Sequence, residues 1–287
     1  MPQTAMLCAM LAGVFAFFSP AVQGVFQAAF KKRPALVFVV PMLLAAFFAA
    51  ASATVGACSA TLTALVSLYT LAPTLALYLL GSRADFAAIL LLWLPIEFGA
   101  GASLIPRAQQ GFLHSVAYGV AILLGLTLFL GFRRVEGMKY NLPRDGRDLW
   151  LPLAGFAVVA PALIAVGIGI GFIPPPHWPT QTAQRMATAV GIIFAGTALP
   201  EEILFRALIQ NLMMQRFGEN ARTLLLASIL FGCAHLDNGP QPLPNWRYMI
   251  EATIAGLAYG QVFRKSRSVT SSAVLHTMVD WTKHFFF

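Results

Sequence analysis

Apolar runs fall at about residues 5–30, 34–51, 59–80, 86–105, 111–132, 149–173, 186–200, 222–236, 246–263 and 269–287. They leave this chain few choices of fold. Several have the roughly 20 residues a helix needs to cross a bilayer, and the others reach that length with their flanks. Only 10% of the 287 residues are charged and 58% are hydrophobic, against about 25% charged in an ordinary soluble domain. So little charge does not cover a water-facing surface. The expectation is an all-α polytopic membrane bundle of about 8–10 transmembrane helices. Ser19-Pro20 interrupts the first run, and Trp93-Leu-Pro95-Ile-Glu97 sits inside the fourth.

The formal charge of +8 reads as membrane topology, because the basic residues lie in short clusters between apolar runs. With the amino terminus outside and ten spans, all but Arg107, Arg185, Arg247 and Lys283 of the 19 basic residues fall on the inner side. No basic, aromatic-interleaved groove suggests nucleic acid. Cys8, Cys58 and Cys233 have neither metal-ligand spacing nor a disulfide pattern. The amino terminus lacks the basic stretch of a cleavable signal peptide, so the first run is expected to be retained.

The loop Gly137 to Asp148 is the most polar stretch. It separates residues 1–148, transmembrane helices of unassigned role, from residues 149–287, which carry the chemistry. Ile173-Pro-Pro-Pro-His177-Trp-Pro179 reads as a stiff outer connection, and Asp237 to Pro244 as a second Pro/Gly-rich one.

Three polar motifs then stand on apolar helices: Glu201-Glu202-x-x-x-Arg206, Phe231-x-x-x-His235 and His276-x-x-x-Asp280. Acids at membrane depth cost about 2.5–3.5 kcal/mol on insertion scales, so they usually carry function or are paired. On a helix Glu202 and Arg206 are neighbours one turn apart, which leaves Glu201 on an adjacent face. If a helix runs from Met186 to Arg216, Glu201 lies roughly 22 Å from its inner end. His235, Asp280 and His276 lie roughly 20, 18 and 12 Å along helices starting near Arg222 and Ser268. All fall in one slab, where a glutamate, two histidines and an aspartate suit activation of a water. Gly191, Gly196, Gly256 and Gly260 are expected to allow close helix approach or leave room for a substrate.

Plainer readings stand beside each of these. Glu202 and Arg206 form a structural pair, Glu201 is inert if the helix ends at Pro200, and His235 bonds a backbone carbonyl. His276 and Asp280 lock the last helix to its neighbours. Phe205 and Phe231 either line a substrate cavity or simply pack. Glu97 and Glu251 are further acids at depth, and the Phe285–Phe287 end reads as an interfacial anchor. One glutamate and two histidines also suit zinc, but no HExxH is present and the donors lie on three helices.

In their order and spacing the three motifs resemble the CPBP family of intramembrane proteases, which includes the type II CAAX prenyl endopeptidases and bacterial abortive-infection proteins. The resemblance covers about residues 186–285. It implies a glutamate-dependent peptidase without metal or other cofactor. Glu201 would polarise a water as general base, His235 would hold that water, and His276 would help stabilise the oxyanion. Asp280 stands where the family usually has Asn, whose amide donates hydrogen bonds that an ionised carboxylate does not. Asp280 is then either protonated or orients His276 or Lys283. The implied partners are a membrane-anchored protein or peptide substrate and the lipid bilayer, with no nucleic acid and the oligomeric state open. The expected location is the bacterial cytoplasmic (inner) membrane. A scaffold or immunity protein of the same fold would tolerate alanine at Glu201 and His235. A proton-coupled transporter would show gradient-driven flux, and no internal repeat supports it.

Overall fold

The computed structural model describes residues 2–239 and 241–287, and among these all regular structure is helical. The chain divides into two compact units, Met1–Glu136 and Gly137–Phe287. The first contains α1 (Pro2–Ala16), α2 (Pro20–Lys32), α3 (Val39–Thr54), α4 (Ala60–Leu80), α5 (Asp85–Glu97) and α6 (Arg107–Leu126). At the Ser19-Pro20 break α1 and α2 bend by 84°. The core of this unit packs Met10, Phe48, Leu62, Leu113 and Val116. Asp85 accepts from Arg133 Nε at 2.8 Å and Nη2 at 3.1 Å. Glu97 accepts from Trp93 Nε1 at 2.7 Å, one turn away.

The second unit contains α7 (Gly146–Gly169), α8 (Ala183–Ile193), α9 (Leu199–Glu202), α10 (Asn211–Phe217), α11 (Ala221–Cys233), α12 (Trp246–Lys265) and α13 (Val269–Phe286). π-helical segments Phe194–Ala198 and Ile203–Gln210 join α8, α9 and α10 into one unbroken helical rod. Against it α11 and α12 pack closely. A methyl group on Gly256 would sit 3.2 Å from the Phe231 ring and 3.3 Å from Ser228 Cα, and one on Gly260 would meet the Gln210 amide. Gly191 and Gly196 face open space instead.

Among the described residues, four helical spans are long and apolar enough to cross a membrane alone, Pro34–Thr54, Ala60–Glu97, Arg107–Phe132 and Gly146–Gly169, and five if the bent α1–α2 pair counts as one. The polytopic all-α bundle therefore holds, while fewer than eight to ten helices meet the length and hydropathy criterion. The reason is local. The rod, α12 and α13 carry the ionisable residues that set them apart, and α11 has only 13 residues. At the carboxyl end Phe285 is wholly buried. Of the Phe285–Phe287 end only Phe285 is a core residue, its ring 5.3 Å from that of Trp281, while Phe286 and Phe287 are half-buried.

One end of this unit is tied together by the loop before α7. Lys139 Nζ donates to the carbonyls of Phe263, Arg264 and Ser266 at 2.7, 3.2 and 2.9 Å, capping α12. Burial lowers the Lys139 pKa from its ordinary value, and Glu219 and Asp148 oppose that shift. Ser268 Oγ donates to Asn141 O. Asp148, 1% exposed, accepts from Arg144 N at 2.9 Å and Arg267 N at 2.6 Å. One carboxylate thus joins the start of α7 to the turn that launches α13. Asp148→Ala is expected to cost about 1–3 kcal/mol for each amide left without an acceptor. Thermal unfolding in a fixed detergent should show a lowered midpoint, with Asp148→Asn falling between it and wild type.

Candidate active site

Pro200 has no N–H to donate, and its ring crowds the carbonyl one turn back. The wider π segment before it relieves this, since Leu199 N–H reaches Phe194 O five residues earlier. The helix therefore passes through Pro200, and Glu201 and Glu202 project from mid-rod rather than from a frayed end.

Glu202 is fully buried. Its Oε2 accepts from Arg206 Nε at 3.2 Å, and its Oε1 lies 3.2 Å from His276 Nδ1. Arg206 is also inaccessible, with its guanidinium 4.7 Å from the Phe231 ring centre and 5.7 Å from that of Tyr259. The single Nε contact compensates the two charges, and aromatic faces cover the guanidinium, whose two Nη atoms are buried without a hydrogen-bond partner.

His276 is the meeting point of two elements. From α13 its Nδ1 faces Glu202, while its Nε2 faces Asp280 Oδ2 at 3.4 Å and Glu201 Oε2 at 3.9 Å. Tyr259 stacks on the ring at 4.5 Å between centres and 21° between planes. His235 lies in the turn that ends α11 and is 8% exposed. Its Nδ1 is 2.8 Å from Phe231 O. A carbonyl only accepts, so Nδ1 carries the hydrogen and Nε2 is the nitrogen left for a ligand. The backbone bond expected of a helical histidine is present, and here it sets the tautomer.

His235, His276 and Asp280 line a cavity of about 70 Å³ whose walls also include Phe231, Tyr248, Glu251, Tyr259 and Lys283. Phe231 stands between the histidines, 4.8 Å from His235 and 5.8 Å from His276, and Phe205 packs edge-on against it at 5.0 Å. Lys283 Nζ lies 4.4 Å from the Phe172 ring centre and 4.2 Å from that of Tyr248. Glu251 Oε1 is buried without a hydrogen-bond partner. Among the described residues no three His, Cys, Asp or Glu side chains are placed to hold a metal ion.

Tyr248 and Tyr259, which lie outside the three motifs, also line the cavity. With Glu251, Ala252 and Ala255 they follow a three-to-four-residue spacing along α12, all on the cavity wall. A helical stripe of tyrosines around an acid at depth was the available signal.

The second unit thus gathers His235, His276 and Asp280 around one internal cavity, with Glu201 and Glu202 beside His276. Residues 183–282 match the family model Type II CAAX prenyl endopeptidase Rce1-like. The match covers 100 of the 287 residues and supports a likeness of that region to the CPBP/CAAX proteases, a family of peptide-bond hydrolases. No curated protein and no solved structure matches the chain.

Removing Glu202 alone strands Arg206 in a dry site, so Glu202→Ala is expected to cost about 3–5 kcal/mol. The double variant Glu202→Met/Arg206→Met should unfold at a higher temperature than Glu202→Ala in the same detergent. A double variant no more stable than the single would show that the pair does not hold the rod to α13.

Proposed function

We propose that this protein is a glutamic-type intramembrane endopeptidase that cleaves a membrane-anchored protein or peptide near its carboxyl end. The observation that carries this reading is the convergence on His276 of Glu201 from the rod and Asp280 from α13, within the segment that matches the protease family. In this reading Glu201 is the general base and takes a proton from a water held at His235 Nε2. The water oxygen bonds to the scissile carbonyl carbon, and the carbonyl oxygen becomes an oxyanion. The C–N bond then breaks as the proton passes to the leaving amine.

Glu202 and Asp280 bear on opposite nitrogens of the His276 ring and fix its plane. In this reading the Nε2 edge, which Asp280 holds toward the cavity, is shared with the oxyanion as charge develops there. Asp280 then acts by orienting His276, a role a carboxylate performs without donating a hydrogen bond. This accounts for an aspartate where the family usually has asparagine. Glu202 with Arg206 supports the ring from the other side. Phe231 and Tyr259 exclude water from the back of the site, where every charge interaction strengthens as the dielectric falls.

The substrate class that fits is a carboxyl-terminal tail on a membrane anchor, whether lipid or helix, and the setting that fits is a bacterial cytoplasmic membrane. The test offers membrane-anchored tails to the protein in liposomes and follows truncation by mass spectrometry. Glu201→Ala and His235→Ala should each lower the rate about 10²–10⁴-fold, at equal expression and unchanged unfolding temperature. Asp280→Asn should retain activity, since an amide still accepts from His276 and also donates. Equal processing by every variant would sink the peptidase reading in favour of a scaffold.

A further inference from the structure

The second unit has two chemically different ends. At one, the loop before α7, the α10–α11 turn and the α12–α13 turn meet: Arg267 N bonds Asp148 Oδ1, and Arg264 Nε lies 3.1 Å from Glu219 Oε1. This end carries Arg144, Arg147, Arg216, Arg222, Arg264 and Arg267. At the other, the segment after α7, the start of α8 and the end of α13 meet. His177 N bonds Phe286 O at 2.9 Å, Trp281 Nε1 bonds Met186 O at 2.8 Å, and Gln241 Nε2 bonds Phe172 O at 3.3 Å. The basic residues near it are fewer: Arg185, Arg247 and Lys283. Cytoplasmic loops carry the excess of Lys and Arg, so the first end is cytoplasmic and the second is not.

The site opens toward the second end. A recess of about 760 Å³, lined by Arg185, Thr188, Ile192 and Gln241, shares Phe172, Tyr248, Asp280 and Lys283 with the inner cavity. Its walls come from the beginning of α8, the non-helical stretch between α11 and α12 and the last turns of α13. The length of α11 bears on the same point. Its 13 residues rise roughly 20 Å, short of the roughly 30 Å hydrocarbon core. The chain after it therefore leaves the helical state below the outer surface. Non-helical backbone is tolerated at that depth where it is buried in protein or borders a water-filled space. Gly239 and Gln241 of that stretch border the recess.

We infer that the scissile segment reaches the site through this recess from the non-cytoplasmic face, so that the substrates are membrane proteins whose cleaved tail is exported. The inference rests on the peptidase reading for its substrate, but not for the side on which the recess opens.

Cysteine labelling in intact cells separates the two. In the full-length chain with Cys8, Cys58 and Cys233 replaced by serine, single cysteines are placed at Thr188 and Gln241 on the recess wall and at Glu219 on the opposite end. A membrane-impermeant maleimide should label Thr188→Cys and Gln241→Cys in intact cells, and Glu219→Cys only after permeabilisation. The reverse pattern overturns the inference, as does failure of both recess cysteines to react from outside in protein that keeps the wild-type unfolding profile. A reporter with one candidate tail on its exported or its cytoplasmic end supplies the substrate arm. Processing of the exported form alone supports the inference, and processing of the cytoplasmic form overturns it. If neither form is cut while labelling follows the expected pattern, it is the peptidase reading that fails, and the opening of the recess stands.

Discussion

The Glu202 carboxylate is the interaction on which the site depends. It has no solvent exposure, and it is shared between Arg206 on its own rod and His276 on α13. A lone carboxylate at that depth would carry a desolvation penalty of several kcal/mol. Dividing its two oxygens between a guanidinium and an imidazole meets that penalty and fixes the position of each partner. Because α13 is held to the rod by this contact, Asp280 and the Nε2 face of His276 turn toward the cavity. Glu201, one residue earlier, is left to face the same nitrogen. The motif residues are thus unequal in role: Glu202 and Arg206 build the frame that aims the others.

Room for chemistry comes from departures from regular helix. The π segment before Pro200 keeps the rod continuous where proline would otherwise break it, and so holds Glu201 and Glu202 at depth. The short α11 ends where His235 is needed, in a turn whose geometry delivers Nδ1 to a carbonyl and leaves Nε2 for the site. Gly256 and Gly260 let α11, α12 and the rod approach closely, while the larger side chains of Phe172, Tyr248 and Tyr259 stand around the cavity. Close contact on one face of α12 and open space on the other follow from where its glycines and its two tyrosines fall, with Phe172 after α7 closing the cavity from the opposite side.

Much of this was legible in the chain before any coordinates. Acids, histidines and an arginine spaced one turn apart on apolar helices are rare enough to stand out, because each carries a cost in the bilayer. Their estimated depths already placed them in one slab. Tyr248 and Tyr259 were not singled out, because a tyrosine in a membrane helix is common and becomes a wall residue only when a partner helix faces it. The burial of Phe285 was missed for a similar reason, since an aromatic at a chain end reads as an anchor until its packing partners are known.

What the sequence by itself determined was the kind of fold and the set of ionisable groups at depth, because hydropathy over some twenty residues and one-turn spacing are local properties. What only the tertiary structure decided was which group faces which. That Glu202 takes His276 Nδ1 while Glu201 and Asp280 share Nε2 depends on the rotation of the rod against α13. That rotation is set by glycine contacts, stacked rings and loop clamps far apart in the chain, and no local pattern encodes it. The opening of the recess away from the basic loops belongs to the same category, because it arises from where five helices end relative to one another.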